Sequence, residues 1–184
     1  MIRKVGVLCA LLSTWVVIGA AIAQPARSVH REPSFFSPEE GEESVFHNAP
    51  LPSDVVLDAL LKTKEAKDYE LHEFGREESR KLFRVVKVHL AKQDEVDWIV
   101  SGSGRMTGGD NDWFWVVRQV DNHAEVLLYA NGLSLVTLKS RTNDYKDIAT
   151  SWNAASGYSI DETYKYDGSR YKLVHKHTYQ QRMQ

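Results

Sequence analysis

"DWFWVVRQVDNHAEVLLYANGLSLVTLKS", residues 112–140, decides the fold. Short apolar runs are separated here by Asp121-Asn122 and by Asn131-Gly132. Along the first run Trp113, Trp115 and Val117 alternate with Phe114, Val116 and Arg118, so neither side of a strand would be consistently polar. Such a strand belongs in the middle of a sheet, covered on both faces. Trp113 and Trp115 share one face and Phe114 takes the other. With no polar face left over they read as core, not as an exposed platform for sugar rings or a peptide. Asn131-Gly132 is the strongest hairpin signal in the chain, because both residues accept the positive φ angles of a tight turn.

Working outward, the same pattern continues on both sides. "KLFRVVKVHL" (81–90) and "VDWIVSG" (96–102) precede this stretch. "DYKDIATSW" (144–152), "YSIDETYKY" (158–166) and "RYKLVHKHTY" (170–179) follow, the last two joined by Asp167-Gly168. No segment between strands is long enough for a helical crossover, which excludes a doubly wound parallel sheet. One helix is expected ahead of the strands, in "SDVVLDALLKTKEAK" (53–67). Ser53 can cap it, and Asp54 suits the positive end of its dipole. Val56, Leu57, Leu60 and Leu61 form its apolar face, opposite Asp58, Lys62 and Glu65. The expected class is mainly β, α+β at the margin. About eight strands form an antiparallel meander, a curled sheet or partly open barrel, with one N-terminal amphipathic helix.

Residues 1–23 read as a signal peptide cleaved after Ala23, the alternative being an uncleaved anchor, since roughly 18 apolar residues can just span a bilayer. Arg3 and Lys4 are followed by an uncharged apolar stretch, and Ala21-Ile22-Ala23 offers a peptidase small residues at the required spacing. Cys9, the single cysteine, leaves with it. An exported chain without disulfides fits a bacterial periplasm, or secretion from a bacterium, and no membrane span remains after cleavage. Removing Arg3 and Lys4 takes the basic residues from 23 to 21 against 25 acids, a net charge of −4. That balance favours neither nucleic acid nor an anionic membrane surface. Residues 24–50, rich in Pro, Ser and Glu, read as a flexible acidic leader in which Phe35-Phe36 and Val45-Phe46 are apolar enough to dock on the domain or on a partner, the domain being favoured. The folded domain is expected over 51–184.

"DEVDWIVSGSG", "NDWFWVVR", "SRTNDYKDI" and "YKYDGSRYKLV" resemble a set of small exported bacterial β-domain proteins of uncharacterised function. They are also distantly similar to FG-GAP or VCBS repeat units, whose D-x-D-x-D-G loop binds calcium. The resemblance covers roughly residues 80–175 and implies a fold more than an activity. This chain departs from the calcium pattern: Asp94, Glu95 and Asp97 lack both the alternating acids and the glycine.

The Gly-rich loop "GSGRMTGGDND" (102–112) fails as a phosphate loop because no lysine or helix follows. It fails as an EF-hand because Phe114 breaks the count begun by Asp110 and Asp112. It reads as a surface rim, and Arg105, Asp110, Asp112 and Trp113 are its candidate contacts. His175 and His177 share a face of the last strand at a spacing that suits zinc or copper, with a third ligand to come from Glu162, Asp161 or the more distant His89. Among Lys172 and Lys176 they read instead as two solvated histidines, and no metal or other cofactor is expected. "SGSG" lacks the G-x-S-x-G elbow of serine hydrolases. Tyr145 is expected at a rim with its hydroxyl paired. The function expected is therefore a non-enzymatic binding module that recognises a protein or cell-envelope polymer through its loops, in one form an inhibitor of an envelope hydrolase. The rival is a glycan-directed hydrolase using loop carboxylates.

Overall fold

The structure is a computed structural model and describes residues 32–38, 44–91, 95–103, 111–154 and 157–180. The expected signal peptide and the first part of the leader lie outside the described residues, as do Asp94, Arg105 and Asp110. Among the described residues no helix is long and apolar enough to cross a membrane.

The protein is mainly β, with nine strands in two antiparallel sheets among the described residues. One sheet is a meander of β2 (Phe83–Val88), β3 (Val96–Gly102), β4 (Asp112–Val120) and β5 (His123–Gly132). The other is a meander of β6 (Ser134–Thr142), β7 (Tyr145–Ala154), β8 (Tyr158–Tyr166) and β9 (Tyr171–Gln180). To its β6 edge the two-residue strand β1 (Phe35–Phe36) is added.

The sheets pack face to face over a core that mixes Ile99, Phe114, Val116 and Leu128 of the first with Leu135, Ile148 and Tyr164 of the second. The other face of the first sheet is covered by α1 (Asp54–Leu61), whose Val56, Leu57 and Leu60 meet Phe83, Val100, Trp115 and Val117. β4 is thus dry on both sides, as its alternation requires: Trp115 is 1% exposed and Phe114 0%. The expected helix is shorter than its pattern. Ser53 caps α1 through the Val56 N–H, but Thr63 then caps a separate α2 (Lys64–Asp68), because a side-chain oxygen at that position competes for the next N–H groups. A 3₁₀ turn (Leu71–Phe74) and α3 (Arg76–Lys81) complete the helical layer, which the hydrophobic pattern did not signal.

The hairpin expected at Asn131-Gly132 is not formed. Asn131 is still paired with Trp113, Gly132 with Asp112, and at Leu133 the chain leaves one sheet for the other, its N–H donating to the Ser151 carbonyl at 2.7 Å. Gly132 is needed here for close approach rather than for a positive φ: a Cβ would lie 2.7 Å from the Ser134 carbonyl oxygen. The single meander is therefore broken once into two sheets, which are not closed into a barrel.

The domain also begins earlier than expected. β1 pairs with β6, and Phe36 and Phe46 are 0% and 5% exposed in the inter-sheet core, so the described part of 24–50 is docked rather than a free leader.

Candidate functional site: an arginine–tyrosine cleft

Arg118 is the one charge in β4 beyond Asp112, which opens the strand; it lies two residues past Val116 on the side that faces the second sheet. At that end of the sandwich the β2–β3 connection and the tight turns of the second sheet converge. Asn143 and Asp144, between β6 and β7, have φ of 49° and 68°, the conformation of a type I′ turn. The turn after β8 is held by the Asp167 carboxylate, which accepts from the N–H groups of Ser169 and Arg170 at 2.9 Å. Those backbone donors hold its carboxyl down at about 2.

These segments surround an open cleft of about 500 Å³ lined by Glu95, Arg118, Asn143, Asp144, Tyr145 and Tyr166. Its groups hold one another. Arg118 donates to the hydroxyls of Tyr145 (3.2 Å) and Tyr166 (3.0 Å) and is paired with Glu125. Tyr145 donates to Glu95 at 2.7 Å, and Tyr166 donates to the Gly168 carbonyl at 3.0 Å. The rings of Tyr145 and Tyr166 stack at 4.1 Å, with Tyr171 edge-on to both. Asn143 donates to the Tyr166 carbonyl, which fixes the turn to the ring beneath it.

Burial pushes the Tyr145 hydroxyl well above its ordinary range, so it remains a neutral donor. Burial works against the Arg118 charge, yet the hydrogen bonds with Glu125 and Tyr145 outweigh it and raise its pKa. Behind the cleft lies Asp97, fully buried. Its Oδ2 accepts from the Leu90 N–H at 3.0 Å, while Oδ1 has no partner. Desolvation pushes its carboxyl up to about 6 against the opposing pull of the Leu90 and Ala91 N–H groups. The Leu90 carbonyl in turn accepts from the Lys146 N–H (2.9 Å) and from Arg141 (2.7 Å), which ties this loop to both sheets.

The expected rim lies at the opposite end. Asp112 and Trp113 open β4 there, whereas Arg118 and the cleft are near its close. Trp113 is half-buried beneath the helical layer, stacked on Tyr129 (5.0 Å, 10°) and edge-on to Tyr69. It is packed between rings and not presented as a platform. Asn111 ends the loop by clasping Asn153, donating to its carbonyl at 2.8 Å and accepting from its N–H at 2.9 Å. His175 and His177 are exposed on β9, and among the described residues no group of three or more metal-ligating side chains gathers. Glu95 and Asp97, considered for calcium, are engaged with Tyr145 and with Leu90. Tyr145 is where it was expected, hydroxyl paired. Arg118, Tyr166 and Tyr171 were missed, although a lone arginine ending an apolar strand and tyrosines flanking a Asp-Gly turn were visible signals.

Compared with protein-family models, with curated proteins and with solved structures, the chain finds no match. The cleft offers aromatic edges, a fixed guanidinium, carboxylates and an amide on tight turns, an arrangement suited to polar recognition.

Proposed function

We propose that this protein is an exported, non-enzymatic binding module that recognises a protein or cell-envelope polymer, and that the arginine–tyrosine cleft is its recognition site. The observation behind this reading is the preorganised network Glu95–Tyr145–Arg118–Tyr166, set by four segments at one end of a rigid sandwich. Loops on such a frame commonly bear recognition. A network whose members satisfy one another favours binding over proton transfer, since the raised Tyr145 and Arg118 hold their protons at neutral pH.

The test is saturable binding to fractionated envelope polymer and envelope protein. Glu95→Ala should abolish binding, whereas replacing residues 104–110 with a Gly-Ser linker should leave it intact. The reverse pattern would move recognition to the opposite end, and no saturable binding by any form would sink the module. One observation favours a second reading. Asp97, pushed up to about 6 by desolvation and with the Glu95 charge nearby, is a proton-holding carboxyl of the kind glycan hydrolases use as an acid. Release of reducing ends from an envelope glycan, lost in Asp97→Asn, would establish it.

A further inference from the structure

We propose that β9 pairs edge to edge with β9 of a second copy of this chain, antiparallel and centred on Thr178. The strand is the last in its sheet and ten residues long, and every residue after Tyr171 is exposed, on both faces. Among the described residues, four of the seven exposed large apolar side chains, Tyr158, Leu173, Val174 and Tyr179, lie on β8 and β9. Among the described residues no strand pairs with its outer edge.

The β8–β9 register then limits where a partner fits. Thr163 is paired with His175 and Tyr164 with Leu173, which leaves Val174 as a bulge and His175–Gln180 as the regular run. A bulge bends an edge and discourages pairing beside it.

Charge decides the occupant. Lys176 is neutralised by Glu162 at 2.9 Å and lies over the Trp152 ring at 5.2 Å, and Lys172 is paired with Asp167 at 3.8 Å. The lysines already have acids on their own chain, so the edge does not demand an acidic strand. Remaining to be covered are His177, Thr178, Tyr179 and Gln180, which can serve one another. A two-fold axis normal to the sheet keeps each face on its own side, so opposing residues are separated by an even number of positions. Centring on Lys176 or His177 sets that residue against its own copy. Centring on Thr178 puts threonine against threonine, His177 against Tyr179 twice, and Lys176 against Gln180 twice, with no like charges opposed. These are favourable cross-strand pairs. His177 already stacks on Tyr179 within one copy (5.8 Å, 24°), and the pairing extends that stack. The axis falls far from the Tyr166–Tyr171 turn, so the cleft stays uncovered and this proposal is independent of its role.

Sedimentation equilibrium from micromolar to about 0.5 mM should show a reversible monomer–dimer equilibrium. Gln180→Lys, a change at an exposed position, sets lysine against Lys176 twice and should raise the dimer dissociation constant about tenfold. Protein expressed from the full sequence with Cys9→Ser and Thr178→Cys should form a disulfide dimer on oxidation with copper phenanthroline. The Cys9→Ser, His177→Cys control should not, since only a residue on the axis meets its own copy. A monomer throughout the range, a dimer indifferent to Gln180→Lys, or crosslinking at 177 instead of 178 would overturn the proposal.

Discussion

The two ends of the sandwich are held by different physics. At the corner end, where Asn111 clasps Asn153 and Gly132 passes against Ser134, contacts are backbone and amide and carry no charge. At the cleft end a guanidinium, tyrosine hydroxyls and carboxylates are linked across both sheets, with an unpartnered carboxylate oxygen beneath them. The first arrangement fixes which sheet each half of the chain joins. The second holds ionisable groups out of water, and perturbed ionisable groups of this kind cluster at functional sites.

The sharpest way to break this contrast is at the corner. Gly132→Ala places a methyl group 2.7 Å from the Ser134 carbonyl oxygen, a backbone atom that cannot swing away. The loss should be about 3 kcal/mol, near the top of the overpacking range, with a thermal midpoint about 10 °C lower. Binding by the surviving folded fraction should be unchanged.

At the cleft end the largest effect should be one of pH. Asp97 has its folded pKa raised from 3.8 to about 6. Below about pH 4 it is protonated folded or unfolded, and its favourable contribution is fully present. As pH rises through 6 the folded protein must ionise a buried carboxyl, and that contribution is lost. Stability by urea titration should therefore fall between about pH 4 and pH 6.5 and level off above. Asp97→Asn should flatten that slope and add about 2 kcal/mol at the upper end.

Asn111→Ala removes both bonds of the clasp and should cost about 1.5 kcal/mol by the same titration, at neutral pH and without a change in pH slope. Smallest is Tyr166→Phe, which deletes an acceptor for Arg118 and a donor to Gly168. About 1 kcal/mol of stability should go with it. A marked loss of binding alongside would separate the cleft's role from its stabilising one.

Most of the strands were legible. Hydrophobic alternation placed "VDWIVSG" and "DWFWVVRQV" on β3 and β4 residue for residue, because a strand buried on both faces tolerates almost no polar side chains. The Asp167-Gly168 turn was equally readable, from a residue that caps and one that accepts φ of 106°. Asn131-Gly132 misled because the same dipeptide serves a close crossing as well as a turn, and only the tertiary partner Ser151 tells them apart. Phe36 and Phe46 were visible as docking candidates, but not the strand pairing that accompanies them. The cleft was illegible for a related reason. Arg118, Tyr145 and Tyr166 are far apart in sequence, and their meeting depends on how the second sheet lies over the first.

One small element has a kinetic consequence. Within each meander every strand pairs with its neighbour in sequence, so loop closure is short and fast. β1 is the exception: Phe35 pairs with Val136, roughly a hundred residues away and across the whole first sheet. Its closure entropy is recovered only once β6 exists and the core can receive Phe36. The strap should therefore dock last in refolding and let go first under stress, opening a core whose two meanders are still intact.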